Sequence, residues 1–81
     1  MGIEYKIIVQ LPQAYEVAQV SRRLPSPTKQ SEQFDIYSFA VESDGFYFVD
    51  HLVDELIAAK ALRVLIDEAL SHSPQVTISE L

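Results

Sequence analysis

From Ile3 to Leu11 apolar and polar positions alternate: Ile3, Tyr5, Ile7, Val9 and Leu11 share one face, Glu4, Lys6, Ile8 and Gln10 the other. A period of two predicts a half-buried strand. Pro12 suits the first turn of a helix, where its missing N–H costs nothing. Ala14, Val17, Ala18, Ser21 and Leu24 then recur at helical spacing until Pro25 ends the pattern, so a helix is predicted over Pro12 to Leu24. Pro25 to Gln33, with two prolines, two serines and no apolar side chain, predicts an exposed loop.

Phe34 to Ser43 and Phe46 to Val49 are predicted strands joined by Asp44-Gly45, a pair suited to a type I′ hairpin turn. That turn sets Ser43 opposite Phe46, Val41 opposite Phe48 and Phe39 opposite Asp50, with Tyr37 on the same, core-facing side. Glu42 with Tyr47, Ala40 with Val49, and Ser38 and Ile36 fall on the open side. Asp50 or Asp54 can cap a second helix that runs to about His72, with an apolar stripe of Ala58, Ala59, Leu62, Leu65, Ile66, Ala69 and Leu70. Pro74 stops it, and Gln75 to Leu81 alternates again, with Val76 and Ile78 inward.

The order βαββαβ predicts an α+β fold of the ferredoxin-like type. In it, a four-stranded antiparallel sheet, order 4-1-3-2, carries two helices on one face, as a single domain over residues 1–81. A chain of 81 residues has room for one core. Cysteine is absent, which excludes disulfides, thiolate metal sites and cysteine nucleophiles. The only glycines are Gly2 and Gly45, too few for a phosphate-cradling loop. The first residues alternate charge with apolar side chains unlike a signal peptide, and no apolar run approaches a bilayer span. The expectation is a cytoplasmic protein with no membrane partner.

Charge changes the picture most. Twelve acids against six bases give a net charge of −6. Seven of the acids (Glu32, Asp35, Glu42, Asp44, Asp50, Asp54, Glu55) lie between positions 32 and 55, where there is no Lys or Arg. Such a surface suits a protein partner with a basic face and opposes phosphate backbones.

Candidate chemistry is sparse. His51 and Glu55 stand at i, i+4 spacing, but two ligands do not make a metal site, and no cofactor or metal is expected. His72 lies between Ser71 and Ser73, positions that do not face one another as nucleophile and base must; a histidine in the last turn of a helix serves the helix dipole. Asp67 and Glu68 read as a solvated pair. No catalytic residue is assigned, and the sequence leans away from an enzyme.

Residues Asp44-Gly45-Phe46-Tyr47-Phe48-Val49-Asp50-His51 resemble the third-strand signature of RNA recognition motifs. The resemblance covers about eight residues and departs from the pattern at Asp44, where a basic residue is expected, and at Tyr47, where a small one is. It implies bases stacked on Phe46 and Phe48, whereas the hairpin pattern turns both toward the helices.

The sequence therefore predicts a small acidic, non-enzymatic interaction module, an inhibitor, immunity-type protein or regulatory subunit that binds another protein or its own copy. The expected contact residues are Glu42, Asp44, Tyr47, Val49, Ile8 and Ile36. The alternatives are a small-ligand-binding regulatory domain acting as a dimer and an atypical RNA-recognition-motif-like domain.

Overall fold

The structure, a computed structural model, describes residues 2–29 and 34–81. Residues 30–33 of the expected loop, with Glu32 of the acidic stretch, lie outside the described residues. Strands β1 (Ile3–Ile8), β4 (Tyr37–Glu42), β5 (Gly45–Asp50) and β6 (Thr77–Glu80) form one antiparallel sheet in the order β4-β5-β1-β6. Two short strands, β2 (Thr28–Lys29) and β3 (Phe34–Asp35), pair separately. Helices α1 (Ala18–Ser21) and α2 (Glu55–Leu70) complete a small α+β fold. The expected label 4-1-3-2 does not carry over, because β2 and β3 are additional; along the sheet the neighbours are 37–42, 45–50, 3–8 and 77–80.

The hairpin turns one position earlier than expected. Glu42 pairs with Gly45, Val41 with Phe46 and Phe39 with Phe48, so Ser43-Asp44 forms the turn. Moving the turn by one residue shifts every pair by two, an even number, so each side chain keeps its face. Gly45 is needed for a different reason. Its φ of 141° and its position against β1, where a Cβ would run into the Ile7 carbonyl, leave space for glycine alone.

Alternation then builds the core. Ile7 on β1 and Val9 just beyond it, Tyr37 on β4, and Phe46 and Phe48 on β5 are buried, joined by Ala58, Ala61, Leu65 and Ala69 of α2. Tyr37 stacks on Phe48 with ring centroids 5.6 Å apart. Asp54 caps α2 by accepting the Ile57 N–H at 3.1 Å, and Glu55 stands in its first turn, where acid suits the helix dipole.

Three expectations are corrected. The buried stripe of α2 is Ala58, Ala61, Leu65, Glu68 and Ala69, while Ala59 and Leu70 are exposed. The axis of the stripe is rotated from the expected one, with Ala61, Leu65 and Ala69 fully buried along it. The first helix covers four residues instead of thirteen, and Ala14, Val17 and Ala18 are exposed. It has no side-chain cap and buries only Val20, too little to hold a longer helix.

The third correction concerns the second strand, which is not continuous. Ile36 stands at a bend between β3 and β4, its carbonyl accepting the His51 N–H, and its side chain turns inward to 2% exposure. Ile36 therefore does not belong to the open face. Within the expected loop, Thr28–Lys29 forms a strand paired to Phe34–Asp35.

Helix α2 packs over β5, at one side of the sheet's centre. Cover is thinner over β6. Ile7 is fully buried while Ile78, paired directly with it and facing the same side, is 44% exposed.

Candidate functional site

The face of the sheet opposite α2 is built from the alternate residues Glu4, Lys6 and Ile8 of β1, Tyr47 and Val49 of β5, and Ser38, Ala40 and Glu42 of β4. Register brings Lys6 beside Tyr47, which itself faces Ala40. The Lys6 ammonium bonds the Glu42 carboxylate and lies 2.6 Å from Asp44 Oδ1. These charge-assisted contacts, to Asp44 first and Glu42 second, raise the Lys6 pKa; the same ammonium lowers that of Asp44. Tyr47 donates its hydroxyl to Glu4, and the bond to that carboxylate pushes the phenol pKa up.

Five of the six expected contact residues thus lie together on this face or at its turn. Ile8 is 45% exposed, Tyr47 and Val49 are half-buried, and Glu42 and Asp44 are exposed. Ile36 is the exception. Phe46 and Phe48 are buried on the opposite face, so the aromatic pair of the RNA-recognition resemblance is not presented for stacking.

A second cluster escaped sequence reasoning. Glu68 is buried in the stripe of α2, accepting the Tyr15 hydroxyl at 2.8 Å and Arg23 Nη1 at 2.7 Å, with His72 Nε2 at 3.5 Å. The Tyr15 ring meets Phe46 and His72 edge-on, at 5.9 and 5.3 Å between centroids. Burial, followed by the bond to Glu68, pushes the Tyr15 hydroxyl well above its ordinary pKa of 10.0. The cluster fastens residues 15–23 to α2 and compensates for the shortness of α1. Its signal was the position of Glu68, seven residues beyond Ala61 and three beyond Leu65, inside a helical apolar stripe.

The remaining candidates separate. His51 precedes α2 instead of sharing a helical face with Glu55, and its Nε2 lies 2.9 Å from Ser38 Oγ. Among the described residues no ion pair joins a carboxylate to His51, so this exposed hydroxyl–imidazole pair lacks the third group that orients a catalytic base. Asp50 accepts the Leu52 N–H at 2.8 Å and supports a left-handed backbone at Leu52, φ 63°. No group of three or more potential metal ligands occurs among the described residues, and none of their helices is long and apolar enough to cross a membrane.

A groove of about 310 Å³ opens between Leu11, Pro12, Gln13 and Tyr15 on one wall and Val41, Glu42 and Ser43 on the other. A second, of about 270 Å³, is lined by Ile3, Asp50, Leu52 and Glu55. Neither includes Ser38 or His51. Comparisons of the chain with protein-family models, with curated proteins and with solved structures gave no match.

Proposed function

We propose that this chain is a small, acidic, non-enzymatic interaction module that binds a protein partner with a basic surface. The observation carrying this reading is the helix-free sheet face. There Tyr47 lies between Val49 at one end of the face and exposed Ile8 at the other, and the face and its turn carry three carboxylates, Glu4, Glu42 and Asp44, and one ammonium, Lys6. Three negative charges and one positive leave the patch at −2. An aromatic with a polar tip beside an exposed aliphatic side chain supplies the anchor, and the excess acid supplies steering toward a basic partner. The βαββαβ core order, with β1 and β5 inside the sheet, supports a ferredoxin-like reading of the fold. An inhibitor, immunity-type protein or regulatory subunit acting in the cytoplasm fits the same properties.

The test is capture of partners from the native host by wild type and by Glu42→Gln/Asp44→Asn, with identification of the bound protein and a salt titration. Neutralisation keeps the side-chain shapes while removing two charges, so the expected result is roughly tenfold weaker capture and a shallower salt dependence. Capture that is equal for both proteins at every salt concentration would sink the reading.

A further inference from the structure

The sheet's two edges are not alike, and β6 is the open one. All four of its residues are exposed, although it pairs with β1 inside the sheet. Ile78 and Glu80 lie opposite Ile7 and Tyr5 and so face the helix side, where cover is thinner; Thr77 and Ser79 face the other side with Ile8 and Lys6. An edge strand with free N–H and C=O groups is a template for another strand, and proteins usually block it with lysine, proline or a bulge. Thr77–Glu80 has neither lysine nor proline.

We propose that β6 is a self-docking edge, at which two copies of this chain pair antiparallel and extend their sheets into one. This rests on reading the chain as an interaction module and names a second copy as its partner at this surface. The strand is self-complementary. A two-fold axis through Ile78, perpendicular to the sheet, sets Ile78 against Ile78 of the other copy on the thinly covered helix side, Thr77 against Ser79 on the opposite side, and Val76 against Glu80.

Residues directly across an antiparallel pair share a face, so this register keeps both helix layers on one side and places two exposed isoleucines in contact where cover is thin. Charge does not oppose this occupant. A net charge of −6 repels a second copy over most of the surface, but residues 71–81 contain Glu80 as their only acid and no Lys or Arg. A basic partner finds no row of carboxylates there, and a second copy meets a single acid from each strand.

The experiment is sedimentation of the purified full chain across roughly a hundredfold range of concentration, for wild type, Ile78→Lys and Tyr47→Glu. Wild type and Tyr47→Glu are expected to pass from monomer to dimer, and Ile78→Lys to remain monomeric throughout. Hydrogen exchange on wild type gives a reading independent of mutant folding: amide exchange within Thr77–Glu80 is expected to slow by roughly tenfold from the dilute to the concentrated sample, while β4 is unchanged. A monomer at all concentrations, a dimer that survives Ile78→Lys, or β6 exchange indifferent to concentration overturns the proposal. Dimerisation abolished by Tyr47→Glu but kept in Ile78→Lys also overturns it, while leaving the interaction-module reading in place on the open face.

Discussion

Strands β4 and β6 each pair on one side only, yet the physical states of these two edges are opposite. On β4, Tyr37 is buried and Phe39 and Val41 are half-buried beneath the helix layer; its surroundings carry the acids Asp35, Glu42 and Asp44. On β6 the helix-facing Ile78 is 44% exposed and Glu80 is the one charge. One edge strand has a covered helix-facing side and several acids around it, and the other has a part-exposed helix-facing side and a single acid. Helix α2 sits over β5, Glu68 fastens Tyr15 and Arg23 to it, and the Tyr37 hydroxyl of β4 reaches the Pro25 carbonyl. A four-stranded sheet with one effective long helix cannot be covered evenly.

The largest expected effect tests the covered edge. Tyr37→Ala removes a ring stacked on Phe48 and a hydroxyl that donates to the Pro25 carbonyl at 2.6 Å, and is expected to cost about 3–5 kcal/mol in urea unfolding. A cost as small as that of an exposed residue would erase the contrast between the edges.

Alkaline titration tests the fastening on the covered side. Tyr15 has a folded pKa raised above its ordinary 10.0, so its contribution is complete below pH 10 and is lost as pH rises from there toward the folded value. Wild type is therefore expected to lose stability above about pH 10, and Tyr15→Phe, less stable by about 1 kcal/mol at neutral pH, to lose less over the same range. Parallel pH profiles for the two proteins would show that Tyr15 is neither buried nor bonded to Glu68 in the folded chain.

The smallest effect belongs to the open edge. Ile78→Ala, measured on dilute monomer, is expected to change stability by less than about 1 kcal/mol, because the side chain is already partly hydrated. A value near that of Tyr37→Ala would mean that β6 is covered after all.

Much of the architecture was legible because two periodicities carry it. Alternation along Ile3–Leu11 and Gln75–Leu81 placed Ile7, Val9 and Ile78 on their observed side of the sheet, and even the misplaced turn left Phe46 and Phe48 facing the helices. Helical spacing located α2, and of the two caps the sequence offered, Asp50 and Asp54, the structure uses Asp54. Ile36 was misjudged because an alternating pattern cannot show a bend, and Glu68 because an acid next to Asp67 looks solvated until its partners are known.

The sequence by itself determined the strand faces, the long helix and the concentration of acid between positions 32 and 55, since these follow from local spacing and composition. Only the tertiary structure decided that Lys6 draws Glu42 and Asp44 together, that Glu68 joins Tyr15 and Arg23, and that cover is thinner over β6. Those outcomes depend on contacts between residues far apart in the chain. Their energies come from burial and charge pairing in three dimensions, which no local pattern records.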